Sequence, residues 1–165
     1  METLTERPGA PAATVTTRSE DETRGLAAAL AAVAQPGDRI ALIGPLGAGK
    51  TQFAKGFARG LGVIEVVNSP SFTLMAEYAG RLPLFHQDLY RLAGAEEILA
   101  GGLLDERQSE GVTLSEWAER LPATLDPDRL TVRIDIVGEA ERRISVEPGM
   151  PDNERFATAA GTWRP

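Results

Sequence analysis

Residues 39–51 read RIALIGPLGAGKT, and the fold follows from how this stretch divides. Arg39 to Ile43 is a short apolar run rich in branched residues and bounded by glycine, which predicts a buried strand. Gly44 to Thr51 then matches G-x-x-x-x-G-K-[ST], the Walker A or P-loop pattern, and the residues through about Leu61 suit a helix stopped by Gly60 and Gly62. Glycines let successive backbone N–H groups converge on a phosphate with no Cβ in the way, and the following helix adds the positive end of its dipole. A strand, a glycine-rich turn and a helix in that order predict an α/β domain with a predominantly parallel sheet flanked by helices.

Lys50 is one of only two lysines among 17 basic residues, the other being Lys55. A chain that otherwise uses arginine keeps lysine where a compact ammonium must pass beneath the loop to the β- and γ-phosphates, a path ill suited to a broad guanidinium. Thr51 offers a hydroxyl to a Mg²⁺ ion that bridges the same phosphates. Phosphoryl transfer also calls for carboxylates at the ends of neighbouring strands. Asp88, after the apolar Leu82 to Phe85, and Glu116, after Val112 to Leu114, occupy such positions.

Working outward, Ser19 and Glu22 form a capping box ahead of Leu26, Leu30 and Val33, which share one helical face. Val63 to Val67 is expected as a short strand. Phe72 to Tyr78 and Leu82 to Phe85 read as a hairpin, as do Leu130 to Val137 and Arg142 to Glu147; these antiparallel hairpins extend the sheet. Short helices are expected over Ala95 to Ala100 and near Asp105. Residues 1–17, rich in Thr, Ala and Pro, read as a disordered leader, residues 18–147 as the ATPase domain, and residues 148–165 as a flexible C-terminal tail.

Composition narrows the function. A net charge of −7 argues against a general grip on nucleic-acid phosphates, so no stable DNA binding is expected. The absence of cysteine removes disulfides, thiol nucleophiles and Cys-ligated zinc. No apolar run approaches a membrane span and the first residues lack a signal-peptide pattern, so the expected compartment is the cytoplasm. His86, the lone histidine, reads as a hydrogen-bonded structural group in preference to a catalyst. Trp117 and Tyr90 read as core or rim aromatics, and Arg91 as a salt-bridge partner before a phosphate contact. The acidic run from Glu20 to Glu22 is accounted for by helix N-terminal electrostatics.

Four ordered motifs carry a resemblance: Leu42-Ile43-Gly44-x-Leu46-Gly47-Ala48-Gly49-Lys50-Thr51, then Ser69-Pro70-Ser71-Phe72-Thr73-Leu74, then His86-x-Asp88-Leu89-Tyr90-Arg91, then Glu116-Trp117. In this order they resemble the TsaE (YjeE) family of small bacterial P-loop ATPases, needed for the threonylcarbamoyl modification of adenosine 37 (t6A37) in tRNA. The resemblance spans about residues 19–147 and implies ATP and Mg²⁺ as ligands. It implies that Leu46, Gly47, Ala48, Gly49, Lys50 and Thr51 cradle the triphosphate, that Thr51 and Glu116 hold Mg²⁺, that Asp88 acts near the γ-phosphate, and that Thr23 lies near the adenine. Residues 69–72 correspond to a switch-like segment. Three positions depart from the family's usual pattern: Pro45 for Asp, Ser71 for Thr, and Gln87 for Phe. The implied partners are a TsaD–TsaB pair, with tRNA engaged indirectly and hydrolysis slow until those partners are present. A small-molecule kinase and a nucleotide-gated binding module remain as alternatives, the kinase disfavoured by the lack of an arginine-rich lid segment.

Overall fold

The computed structural model describes residues 12–70, 75–89, 106–120 and 128–165. Seven strands form one sheet: β1 (Ala13–Thr17), β2 (Arg39–Ile43), β3 (Met75–Tyr78), β4 (Leu84–Asp88), β5 (Val112–Glu116), β6 (Leu130–Ile136) and β7 (Arg142–Glu147). Three α-helices are described, α1 (Glu20–Ala31), α2 (Lys50–Gly60) and α3 (Glu154–Thr162). The spatial order is β1-β7-β6-β2-β5-β4-β3. Its centre, β6-β2-β5-β4, is parallel; β7 and β3 run antiparallel to it on either side, and β1, paired antiparallel with β7, runs in the direction of the core again. A parallel core widened by antiparallel hairpins is the architecture the sequence predicts.

The central strands carry apolar side chains on both faces because both are covered. β5 is buried along its whole length and β2 at Ile40, Ala41 and Leu42. Phe53 and Phe57 from α2 join Leu26 and Leu30 from α1 in the core. The two helices touch backbone to backbone: a Cβ on Gly56 would lie 2.2 Å from the Arg24 carbonyl oxygen. Ser19 caps α1, its hydroxyl accepting from the Glu22 N–H at 3.1 Å while the Glu22 carboxylate accepts from the Arg18 N–H at 2.9 Å. Such a cap contributes about 1 kcal/mol.

Two stretches expected outside the folded domain carry regular structure. Ala13–Thr17, assigned to the leader, is the edge strand β1, paired with β7 in the register Val15 to Ile144. Its Thr-Val-Thr-Thr run is β-branched, and this propensity outweighs the composition bias that suggested disorder. Residues 154–162, assigned to the tail, form α3, which buries Phe156 and Ala160 and packs against β1 and α1. Their spacing of four, with Ala159 and Trp163 beside them, is a helical stripe that the flanking Pro and Gly obscured. Residues 63–67 form a loop, not a strand: Val63 and Val67 are buried and residues 64–66 exposed, a spacing that anchors an arch at its two feet. The expected helices over Ala95 to Ala100 and near Asp105 lie outside the described residues. Among the described residues no helix is long and apolar enough to cross a membrane.

Candidate functional site

The parallel strands β2, β4 and β5 end along one edge of the sheet, where an open α/β sheet leaves its crevice. From Ile43 the chain enters the loop of residues 44–49 and passes directly into α2. Gly44 lies against β6, since a Cβ there would sit 2.6 Å from the Ile134 carbonyl oxygen. Gly47 and Gly49 take φ of +83° and +102°, left-handed conformations that side chains resist. Pro45 has no N–H to offer a phosphate, but its carbonyl accepts from the Ala48 N–H at 3.1 Å and closes the turn.

Arg142, the first residue of β7, holds the loop from outside. Its guanidinium donates to the Ala48 carbonyl at 3.0 Å and the Gly47 carbonyl at 3.2 Å, and also to the carbonyls of Gly138, Glu139 and Glu141. Two loop carbonyls are thereby drawn toward β7. Nothing in the local sequence marks Arg142 for this role, because it lies 94 residues beyond Ala48.

Opposite the loop stand the two carboxylates. Asp88 and Glu116 are the last residues of β4 and β5 and are direct neighbours in the parallel register. Together with Leu46 to Gln52, Ser69 and Trp117 they line a cavity of about 540 Å³. Ser69 Oγ donates to Asp88 Oδ2 at 2.6 Å. His86 is fully buried, and its Nε2 lies 2.6 Å from Glu116 Oε2. A carboxylate can only accept, so this ring nitrogen carries the proton and His86 orients Glu116. The structural reading of His86 is thus the one its surroundings favour. Gln87 also has its partner: its side-chain carbonyl accepts from Ser115 Oγ at 2.9 Å, across the register position where the two strands pair. A polar pair inside the sheet takes the place of an aromatic there.

Lys50 opens α2 and is largely buried. Its Nζ donates to the Gly44 carbonyl at 2.6 Å and lies 3.2 Å from the centre of the Trp117 ring. Burial holds its pKa below the usual 10.5, while the carboxylates of Glu119, Glu116 and Asp88 pull it back upward. Trp117 takes φ of +56°, an uncommon conformation for a bulky residue. That turn ends β5 and swings the indole across the ammonium.

Thr51, in the first turn of α2, lines the same cavity, while Leu46 is 85% exposed at its lip. Thr23 lies behind the loop in a second hollow of about 220 Å³, shared with Gly47, Gly49 and Arg142. Its hydroxyl is buried and lies 2.7 Å from that of Thr17. All the residues singled out for nucleotide and metal therefore border the two hollows on either side of the loop. Ser71 to Leu74, Tyr90 and Arg91 lie outside the described residues. Glu20, attributed to helix electrostatics alone, also reaches both hollows.

No group of three or more His, Asp or Glu side chains suited to a metal occurs among the described residues. The cavity instead presents the Thr51 hydroxyl and the Asp88 and Glu116 carboxylates. These hard oxygen donors fit Mg²⁺, which keeps several waters and shares its shell with phosphate oxygens in place of an all-protein cage.

Comparison with known proteins places the chain in a family. The family model described as threonylcarbamoyl adenosine biosynthesis protein TsaE matches residues 17–144. A Bacillus subtilis protein named tRNA threonylcarbamoyladenosine biosynthesis protein TsaE is 46% identical over 130 residues, 78% of this chain and 81% of the relative. One of the same name from Treponema pallidum is 38% identical over 129 residues, 78% of this chain and 96% of the relative. A crystal structure of Bacillus subtilis YdiB superposes with a TM-score of 0.72 at 37% identity, covering 91% of this chain and 94% of that one. With a matching family model over most of its length and relatives at this level of identity, the chain belongs to the TsaE family.

Proposed function

We propose that this protein is the ATP-binding and hydrolysing component required for t6A37 formation in tRNA, acting in the cytoplasm with a TsaD–TsaB pair. The observation that carries this reading is the single cavity in which a phosphate loop faces Asp88 and Glu116. The relatives' names supply the pathway. In this reading the amides of residues 46–51 bind the triphosphate, and Lys50 leaves the Gly44 carbonyl to meet the β- and γ-oxygens. Thr51 and Glu116 hold Mg²⁺, with His86 fixing the Glu116 carboxylate; the ion supplies charge neutralisation on the phosphates. Asp88, oriented by Ser69, accepts a hydrogen bond from the attacking water and aligns it. The Thr23 hollow takes the adenine.

No arginine among the described residues is placed to stabilise charge on the transferred group. Arg142 is engaged with five carbonyls, and none of the other described arginines lines the cavity. In this reading hydrolysis is slow alone, and a partner raises it by supplying charge or by ordering the loop over the phosphates.

Phosphate release by the purified protein, with tRNA alone and with the TsaD–TsaB pair, tests the reading. Low release alone, no change with tRNA and a marked rise with the pair are expected; fast release that ignores the pair would overturn it, and a phosphorylated small product would favour a kinase. Variants separate the carboxylates. Glu116→Ala should shift the Mg²⁺ requirement upward, and Asp88→Ala should slow turnover while ATP binding persists.

A further inference from the structure

Beyond the site, one face of α2 combines two features that folding explains only in part, Arg59 being favoured by the helix C-terminus. Lys55 and Arg59, four residues apart, share the outer side of the helix, and neither makes an ion pair or side-chain hydrogen bond among the described residues. Two like charges at this spacing mildly destabilise a helix. Most other described arginines pair with a carboxylate or bind a carbonyl, as Arg81, Arg133, Arg142 and Arg155 do. Lys55 is also the second of the chain's two lysines and has no place in the phosphate loop.

Beside these cations rises the arch of residues 64–66. Ile64 is 95% exposed and Val66 79% exposed, while Val63 and Val67 are sunk in the core on either side. The arch is held at its base by hydrogen bonds from the Val63 N–H to the Ala58 carbonyl at 3.0 Å and from the Arg81 N–H to the Leu61 carbonyl at 2.7 Å. Two aliphatic side chains are thus presented to solvent on a braced backbone, the preorganisation that a binding surface needs. Between the arch and α2 lies a hollow of about 280 Å³ bordered by Arg24, Lys55, Arg59, Val63, Glu65 and Val66, so that three cations outnumber one carboxylate there.

We infer that this face docks a segment of a partner protein that carries at least two carboxylates beside an aliphatic side chain. The carboxylates would meet Lys55 and Arg59, and the aliphatic group would cover Ile64 and Val66. A nucleic-acid occupant fits less well: the described residues of the face offer no aromatic ring on which a base can stack. The location also ties docking to chemistry. Three residues beyond Val66 is Ser69, whose hydroxyl holds Asp88. A partner gripping the arch therefore pulls on the segment that orients one of the two carboxylates.

The inference rests on the proposed function, since it assigns a contact surface to that partnership. The test uses the full chain and the purified TsaD–TsaB pair, with binding measured by titration calorimetry at two salt concentrations. The double variants Lys55→Glu/Arg59→Glu and Ile64→Ser/Val66→Ser should each weaken binding at least tenfold. The charge variant should also lose most of the salt dependence, and both should keep the wild-type unfolding midpoint and bind ATP within twofold of wild type. Wild-type affinity in both variants would overturn the surface while leaving the partnership intact. Failure of the unaltered protein to bind the pair would remove the partnership and the surface with it. If tRNA alone bound the wild type and lost affinity in the charge variant while the pair did not, the face would be a nucleic-acid contact and the inference wrong.

Discussion

Removing the Arg142 side chain should loosen the phosphate loop while leaving in place all the groups that line the cavity facing Asp88 and Glu116. The guanidinium makes five contacts, of which two, to the carbonyls of Gly47 and Ala48, reach the loop. A hydrogen bond to a charged group contributes roughly 1.5–3 kcal/mol. Arg142 is only half-buried, so water can satisfy part of what is lost, and the two loop contacts together are expected to supply about 1–2 kcal/mol of loop order. Nucleotide binding must restore that order in Arg142→Ala, so its affinity for a non-hydrolysable ATP analogue should fall about 5- to 30-fold. Arg142→Lys should recover less than half of the loss on a logarithmic scale, because one ammonium cannot span the loop and the β6–β7 turn together. Titration calorimetry is the assay, with Arg143→Ala as the neighbouring control: that side chain is exposed and outside both hollows. An affinity within twofold of wild type in Arg142→Ala would show that the loop is organised without it.

Three further outcomes are expected. His86→Ala leaves the Glu116 carboxylate buried without its partner and should cost about 1–3 kcal/mol in urea unfolding, with a raised Mg²⁺ requirement in the surviving protein. Burial lowers the Lys50 pKa, so its charge contact with phosphate is present below that value and is lost as pH rises through it. ATP affinity should decline before pH 10.5, a limb missing from any residual binding by Lys50→Arg. Over the same window Lys50 is less protonated in the folded chain than in the unfolded one, so its contribution to the unfolding free energy should rise with pH. Gly56→Ala would place a methyl against the Arg24 carbonyl and should destabilise the fold by about 1–3 kcal/mol, read as a lower urea midpoint.

What could be read from the sequence was local or periodic. The β2–loop–α2 unit is visible because glycine, lysine and the switch from a strand run to a helix lie within 22 residues, 39–60. Asp88 and Glu116 were visible as strand ends, although only the sheet order shows that they are neighbours. Arg142 and the partnership of His86 with Glu116 were not visible, since both depend on chain segments distant in sequence that the sheet brings together. β1 and α3 are hidden for a different reason: the Thr, Ala, Pro and Gly around them mask the β-branching of Ala13–Thr17 and the Phe156–Ala160 spacing. Edge elements carry weak patterns because one of their sides remains wet.

The indole of Trp117 over the Lys50 ammonium gives the molecule an optical property. The excited state of an indole responds to a nearby charge, and here the charge sits 3.2 Å from the ring centre. Any ligand that draws the ammonium away must change the light this residue emits. The second tryptophan, Trp163, lies against Gly25 of α1, outside both hollows, and contributes a constant background. With Trp163 replaced by phenylalanine, the chain's own emission becomes a label-free record of how fast the lysine is released and recaptured.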